Sequence, residues 1–197
     1  IDQQFGVYTQ LLTDDSDPDH PLEIAVIPPR PEHDYYTLVT VGLSRHRMGF
    51  PEERREEKLE RAELLINLPR DWKLTKVDCR EELWSWPIRM MLATAHFAME
   101  DPEVGLESRT TLMEGDDGIP FAENTDLRGE ILLCPGVFGE ESFFCRLPDG
   151  DEVNFYQVIP LYREELQYKL EHGSDALLDL CPDESLEVIN PHRLNVV

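Results

Sequence analysis

One segment constrains the fold more than any other, because a strand pattern over residues 152–160 runs directly into a helix pattern over 162–172. The strand part is rich in β-branched, aromatic and aliphatic residues, which is typical of a mostly buried strand. In the helix part, Leu166 and Leu170 lie four residues apart on one face, and Gly173 stands where a helix C-cap favours a positive φ. The segment therefore predicts a buried strand followed at once by a capped helix.

Similar patterns along the chain predict the remaining elements. In chain order these are a short helix within 1–12 that docks Phe5, Tyr8 and Leu12, strands at 22–27, 35–43 and 62–68, a main helix at 82–100, strands at 128–134 and 142–147, a short helix from Ser174 or Asp175, and a last strand at 186–189. Pro87 suits the first turn of the main helix, and Pro148-Asp149-Gly150 predicts a tight hairpin turn. The acidic connection 101–126 carries at most one short strand. The prediction is an α+β fold, with a mixed, largely antiparallel sheet packed with helices.

The charge balance excludes several kinds of partner. The 197 residues, enough for a single domain over 1–197, hold 41 Asp plus Glu against 18 Lys plus Arg, a net charge of −23. Nucleic acid and anionic membranes are disfavoured, because both bind through basic patches. A basic protein partner would be attracted and steered. The alternative is that the charge serves solubility or reflects a salt-adapted source.

The first residues and the cysteines of the chain favour a cytoplasmic protein. Residues 1–6 lack the basic and apolar regions of a signal peptide, and no apolar run approaches the roughly 20 residues of a transmembrane helix. Cys79, Cys134, Cys145 and Cys181 are widely spaced, without a C-x-x-C, as expected of reduced thiols. A disulfide across a hairpin between Cys134 and Cys145 is the alternative.

No motif in the chain predicts catalysis, a cofactor or a metal. The histidines, none of which forms an H-x-x-x-H pair, are His20, His33, His46, His96, His172 and His192. Asp116, Asp117 and Glu114 resemble a calcium loop, but the required spacing of its carboxylates fails. Ser44 and His46 do not complete the G-x-S-x-G nucleophile elbow, and Ser44 is interpreted as a turn residue. The remaining alternative is an enzyme whose cleft is assembled from residues remote in sequence.

Five ordered segments together resemble suppressor-of-fused domains, and the bacterial single-domain type above all. These segments are 22–29 (LEIAVIPP), 36–44 (YTLVTVGLS), 62–72 (AELLINLPRDW), 86–97 (WPIRMMLATAHF) and 154–178. The resemblance spans residues 5–181 and leaves 182–197 as a C-terminal tail. Family members often carry Gly-His-Thr after the main helix, where this chain reads Gly115-Asp116-Asp117-Gly118-Ile119. No role of that histidine is therefore carried over.

The resemblance implies the fold of the N-terminal domain of the family and protein binding without a cofactor. Animal members hold Gli-type transcription factors inactive, through a peptide that adds as a β-strand between two domains. Bacterial members are thought to neutralise toxins as immunity proteins, a role that fits a basic partner. An orphan regulatory or structural domain is the alternative to such a binding role.

The sequence offers one candidate binding surface, the strand at 128–134 beside the acidic loop. An exposed edge strand rich in apolar residues invites pairing with a partner strand. The candidate partner-binding residues are Glu130, Ile131, Leu132 and Leu133 of this strand, together with Asp116 and Asp117 of the loop. The alternative is that the strand is interior and its apolar residues belong to the core.

Overall fold

The structure, a computed structural model, describes residues 1–14, 16–17, 20–101, 103–113 and 119–197. Its strands are β1 (Gln10–Asp14), β2 (Leu22–Ile27), β3 (Tyr35–Val41), β4 (Ala62–Pro69), β5 (Thr111–Met113), β6 (Gly129–Leu133), β7 (Phe144–Arg146) and β8 (Glu152–Leu161). Its α-helices are α1 (Glu82–Glu100), α2 (Arg163–His172), α3 (Ser174–Leu178) and α4 (Asp183–Glu187). Short 3₁₀ helices occupy Leu43–Arg45, Glu52–Glu57, Asp78–Arg80, Gly136–Phe138 and Glu140–Ser142.

The strands form one mixed sheet in the order β1-β2-β3-β4-β8-β6-β5, and β7 pairs with β8 beside this path. β4 and β8 run parallel, whereas the other pairings within the described sheet are antiparallel. β4 is buried over almost its whole length, which explains its mostly apolar sequence. The predicted mixed, largely antiparallel sheet with packed helices is confirmed.

Helix α1 covers one face of the sheet and supplies much of the main core. Trp86, Met91 and Ala95 are fully buried in a cluster that includes Leu64 of β4. Burying such a large apolar side chain contributes roughly 1.5–3 kcal/mol. Because the helix begins at Glu82, Pro87 lies in its second turn, and the predicted first-turn position is wrong.

The chain begins with a turn followed by a strand, so the predicted helix within 1–12 is wrong. Gly6 has φ +109°, a conformation that a right-handed helix does not contain. The turn places the Phe5 ring 5.1 Å from the Phe138 ring and 4.9 Å from the Phe155 ring, measured between centroids. Phe5 is therefore buried as predicted, whereas Tyr8 is exposed.

The C-terminal segment forms a helix where a strand at 186–189 was predicted. Acidic residues in the first turn of α4 suit a helix N-terminus. From the last residue of α4 onward, the sheet binds the backbone of this segment, in part through polar side chains. Gln157 Nε2 and Asn67 Nδ2 donate to the carbonyl of Glu187 at 2.8 and 2.9 Å, and Ile189 N donates to the carbonyl of Asn67 at 2.9 Å. These side chains satisfy backbone groups that a strand pairing would otherwise have used.

Candidate functional site

The strand predicted to be an edge lies inside the sheet. β6 pairs with β8 on one side and with β5 on the other. The pairing continues beyond β5, since Arg109 N donates to the carbonyl of Leu132 at 2.6 Å and Leu132 N donates to the carbonyl of Thr110 at 2.9 Å. The prediction that residues 128–134 form an edge is therefore wrong, because residues 109–113 cover that side.

The predicted binding residues are dispersed by this arrangement. Ile131 and Leu132 are fully buried, and they belong to two different core clusters. Leu133 is half-buried, and Glu130 is 3% exposed. Asp116 and Asp117 lie outside the described residues. A role of these residues in partner binding stays a prediction, but direct contact through the backbone of β6 does not fit a strand that is paired on both sides.

The edge of the sheet at this end is β5. Its three residues pair with β6 in the register Thr111 with Ile131, Leu112 with Glu130 and Met113 with Gly129. On its other side, β5 pairs with no strand in the described part of the chain. The outward N–H and C=O groups of an unpaired edge are available to an added strand.

A groove of about 210 Å³ lies between this edge and helix α1. We call it the β5 groove. It is lined by Met90, Thr94 and Phe97 of α1, Leu112 and Met113 of β5, and Phe121. Phe97 and Met113 are 44% and 38% exposed, and both line this one groove. Clustered exposed apolar side chains mark interaction surfaces more often than scattered ones do.

The walls of the β5 groove are held in place from behind. The Phe121 ring stacks on the buried Trp86 ring at a centroid distance of 5.7 Å, with an angle of 6° between the ring planes. Arg89 Nη2 donates to the carbonyl of Phe121 at 3.2 Å. These contacts fix one wall, so the groove is shaped before any ligand arrives.

One polar group lies at the base of the otherwise apolar β5 groove. The carboxylate of Glu130 lines the groove, and the hydroxyl of the buried Thr94 donates to its Oε1. Burying a charged group is costly unless hydrogen bonds compensate it, and Thr94 supplies one. The groove can therefore accept an apolar side chain, and the hydrogen-bonded pair of Glu130 and Thr94 forms the polar part of its lining.

Glu63, a buried acidic residue outside this groove, has structural partners. Burial raises the pKa of Glu63, while hydrogen bonds from Thr40 and Ser44 oppose that rise. Thr40 Oγ1 donates to Glu63 Oε2 at 2.6 Å, and Gly42 N, Ser44 N and Ser44 Oγ donate to Oε1 at 2.7 to 3.1 Å. Ser44 thus closes the turn after β3, which agrees with its interpretation as a turn residue.

The described residues hold no metal-ligating cluster, no disulfide and no membrane-spanning helix. No three His, Cys, Asp or Glu side chains of that part of the chain lie together as a metal site would require. The four cysteines are free thiols. Within the same residues, no helix is long and apolar enough to span a membrane.

Sequence reasoning missed the two exposed side chains of the β5 groove. Phe97 lies outside the core-facing stripe of α1, and a large apolar residue off that stripe was the available signal. Met113 gave little signal, because a strand of three residues is too short for an alternating pattern.

Comparison with known proteins identifies the fold and the family. The crystal structure of a suppressor-of-fused homologue from Neisseria gonorrhoeae matches with a TM-score of 0.67 at 14% identity, covering 100% of this chain and 92% of that chain. A chain in the crystal structure of the Sufu–Fu complex matches with a TM-score of 0.63 at 14% identity, covering 99% of this chain and 87% of that one. At these identities, the two matches show a shared fold.

The sequence matches extend the result from fold to family. Protein UU111 of Ureaplasma parvum serovar 3 is 26% identical over 160 residues, which cover 81% of this chain and 73% of that protein. The family model described as Suppressor of fused protein (SUFU) matches residues 18–194. Since this match covers most of the chain, the protein belongs to the suppressor-of-fused family.

Proposed function

We propose that residues 1–197 act as one non-catalytic binding domain that captures an extended segment of a protein partner along β5. The observation that carries this proposal is the position of a sheet edge, unpaired among the described residues, directly beside the apolar β5 groove. A peptide strand added to such an edge gains affinity from main-chain hydrogen bonds and specificity from pockets for its side chains. β5 supplies the first of these features, and the groove supplies the second.

The chemistry of the β5 groove suggests how the partner is anchored. Phe97 and Met113 expose apolar surface on opposite sides of the groove, where an apolar side chain of the partner would displace water from both. Such an anchor in a preformed pocket is typical of an interaction hot spot. A relative of this chain has been solved as a complex with a protein, Fu, which supports a protein ligand.

We assign the partner to the basic proteins and the setting to the cytoplasm. The net charge of −23 would attract a basic protein and steer it onto the surface. Binding would then sequester or neutralise the partner, as the immunity role of bacterial family members implies. Four free thiols suit a reducing compartment.

Co-purification from native cells with two charge-matched variants tests this function. Phe97→Asp places a charge in the β5 groove, whereas Leu170→Asp places the same charge on α2 at a site that is 70% exposed. We expect the wild-type protein and Leu170→Asp to retain the same basic protein at low salt, and Phe97→Asp to lose it. High salt should weaken the retained complex, because screening reduces electrostatic attraction.

Two outcomes would contradict the proposal. If Phe97→Asp retained the partner as well as Leu170→Asp does, the partner would bind elsewhere. If the wild-type protein retained no protein at either salt concentration, a binding role of this kind would be rejected. Circular dichroism of each variant ensures that lost binding does not reflect lost folding.

A further inference from the structure

The opposite end of the sheet carries a second edge with a groove of its own. β1 pairs with β2 and with no other strand in the described part of the chain. A groove of about 810 Å³ separates β1 from the segment that leads into α1. We call it the β1 groove. It is lined by residues 11–14 of β1 and by Lys76, Arg80, Arg89 and Leu92 across from them.

The β1 groove reaches the edge of the sheet as well as one of its faces. Successive side chains of a strand point to opposite faces, so a groove over one face would contact every second residue. This groove contacts the four consecutive residues 11–14. It therefore lies alongside the backbone of the edge strand, where an extended chain can pair with it.

The side of the β1 groove that faces β1 carries several cationic side chains, although such residues are scarce in this chain. Only 18 of its 197 residues are Lys or Arg, against 41 Asp and Glu. Lys76, Arg80 and Arg89 nevertheless line the same groove, and all three side chains are exposed. Within the described residues, Lys76 and Arg80 form no ion pair, whereas Arg89 lies 3.7 Å from Glu82. Two cations of the groove are thus available to an incoming anion.

The acidic side chains of the β1 groove do not cancel this charge fully. Asp14 Oδ2 lies 2.6 Å from His96 Nε2, and the Asp14 side chain is 9% exposed. Glu82 is the acidic neighbour of Arg89. Each of these two carboxylates therefore has its own partner. The part of the groove beside Lys76 and Arg80 keeps its positive charge.

The floor of the β1 groove is apolar. Leu12 of β1, Ile24 of β2 and Leu92 of α1 contribute to its lining. Leu12 and Ile24 are paired neighbours in the sheet, so they form a continuous apolar surface. A ligand that suits this groove combines carboxylates at one side with apolar side chains directed at the floor.

We propose that the β1 groove binds an extended acidic peptide segment of another protein. Its backbone lies beside β1, its carboxylates bind Lys76 and Arg80, and its apolar side chains pack against Leu12 and Leu92. This site is separate from the β5 groove, and its charge preference is opposite to that of the basic partner. The chain is therefore an adaptor with one ligand at each end of its sheet.

A random decapeptide array, followed by fluorescence anisotropy of the best peptide, tests the second site. The double variant Lys76→Glu/Arg80→Glu reverses two charges in the groove. Arg55→Glu/Arg70→Glu makes the same change in net charge at side chains that are 69% and 71% exposed. We expect peptides rich in Asp and Glu interspersed with apolar residues, and a loss of affinity of about tenfold or more for the groove variant alone. Hydrogen exchange at residues 11–13 should slow when the peptide binds.

Several outcomes would overturn the proposal. An array without enrichment of acidic peptides excludes the assigned ligand. An equal loss of peptide affinity in both double variants would show only a long-range effect of the net charge of the protein. Sedimentation velocity examines the other occupant, a second copy of this chain. If the groove variant changed self-association instead of peptide affinity, the groove would be a dimer interface. Both variants alter exposed side chains, and unchanged melting temperatures confirm that they fold.

Discussion

Glu165 and Arg193 form a buried ion pair that joins the first turn of α2 to the C-terminal segment. Arg193 Nη1 donates to Glu165 Oε1 at 2.6 Å, and the two side chains are 6% and 0% exposed for arginine and glutamate. The same carboxylate accepts from Tyr162 N at 2.9 Å and from Val196 N at 3.1 Å. The segment 182–197, predicted as a tail outside the family resemblance, is therefore attached to the rest of the structure through a charged core contact.

Arg193→Met should destabilise the protein strongly, because it leaves the carboxylate of Glu165 buried without its cation. Removing one partner of a buried ion pair costs about 3–5 kcal/mol. We expect a drop of that size in the free energy of unfolding measured with urea. Adding Glu165→Gln should recover part of the loss, since the unpaired charge is then gone.

An exposed ion pair provides the control for this measurement. Arg70 Nη1 lies 2.7 Å from Asp34 Oδ1, with both side chains more than 60% exposed. Arg70→Met should change the free energy of unfolding by less than about 1 kcal/mol, because water screens such pairs. Equal losses in the Arg70 and Arg193 variants would contradict the assigned importance of the buried pair.

Gly150→Ala and Gly136→Ala form a matched pair that isolates backbone strain. An added methyl group would meet no atom within 4 Å at either position, but Gly150 has φ +87° in the hairpin turn between β7 and β8. We expect Gly150→Ala to lower the free energy of unfolding by about 1 kcal/mol, since L-residues disfavour positive φ. Gly136→Ala should be neutral or stabilise by up to about 1 kcal/mol, because it restricts the unfolded chain. If thermal unfolding showed a greater loss of stability for Gly136→Ala than for Gly150→Ala, the assignment of backbone strain to Gly150 would be refuted.

Asp151 should make the stability depend on acid pH. Hydrogen bonding from Arg61, with Arg47 adding its charge, holds the pKa of Asp151 below its ordinary value of 3.8. Arg61 Nε and Arg47 Nη2 lie 2.8 and 2.6 Å from Asp151 Oδ2. A lowered pKa contributes stability that is present above pH 3.8 and is lost as the pH falls through the folded-state value.

Asp151→Asn should therefore lower the free energy of unfolding by roughly 1 kcal/mol at pH 7, the size expected of a screened pair. The difference in the free energy of unfolding between this variant and the wild-type protein should shrink as the pH falls below 3.8. Asp179→Asn makes the same charge change at a carboxylate with no ion pair in the described part of the chain, and should show no such trend. Urea titrations at several pH values measure both variants, and a constant difference for Asp151→Asn would count against the network.

The elements that the sequence predicted best are three strands rich in apolar residues. The strands predicted at 22–27, 62–68 and 152–160 correspond to Leu22–Ile27, Ala62–Pro69 and Glu152–Leu161. Their residues are buried on both faces, so composition alone distinguishes them. The hairpin turn at Pro148-Asp149-Gly150 is also confirmed, by a positive φ at Gly150 and by the pairing of β7 with β8.

The candidate site was harder to predict, because it depends on which strands become neighbours. The apolar sequence of 128–134 fits an edge and an interior strand equally well, and three residues of β5 decide between them. The prediction of a helix in the N-terminal segment was wrong for a similar reason, since a tertiary pairing with β2 makes Gln10–Asp14 a strand. Such long-range pairings leave no periodic signal in the local sequence.

Amide hydrogen exchange of the protein, with and without its co-purified partner, tests the central claim most directly. We predict that exchange at Thr111, Leu112 and Met113 slows on binding, because the partner strand pairs with the side of β5 that is unpaired among the described residues. Unchanged exchange across residues 111–113, with protection appearing elsewhere on the protein, would contradict capture of an extended segment along this edge.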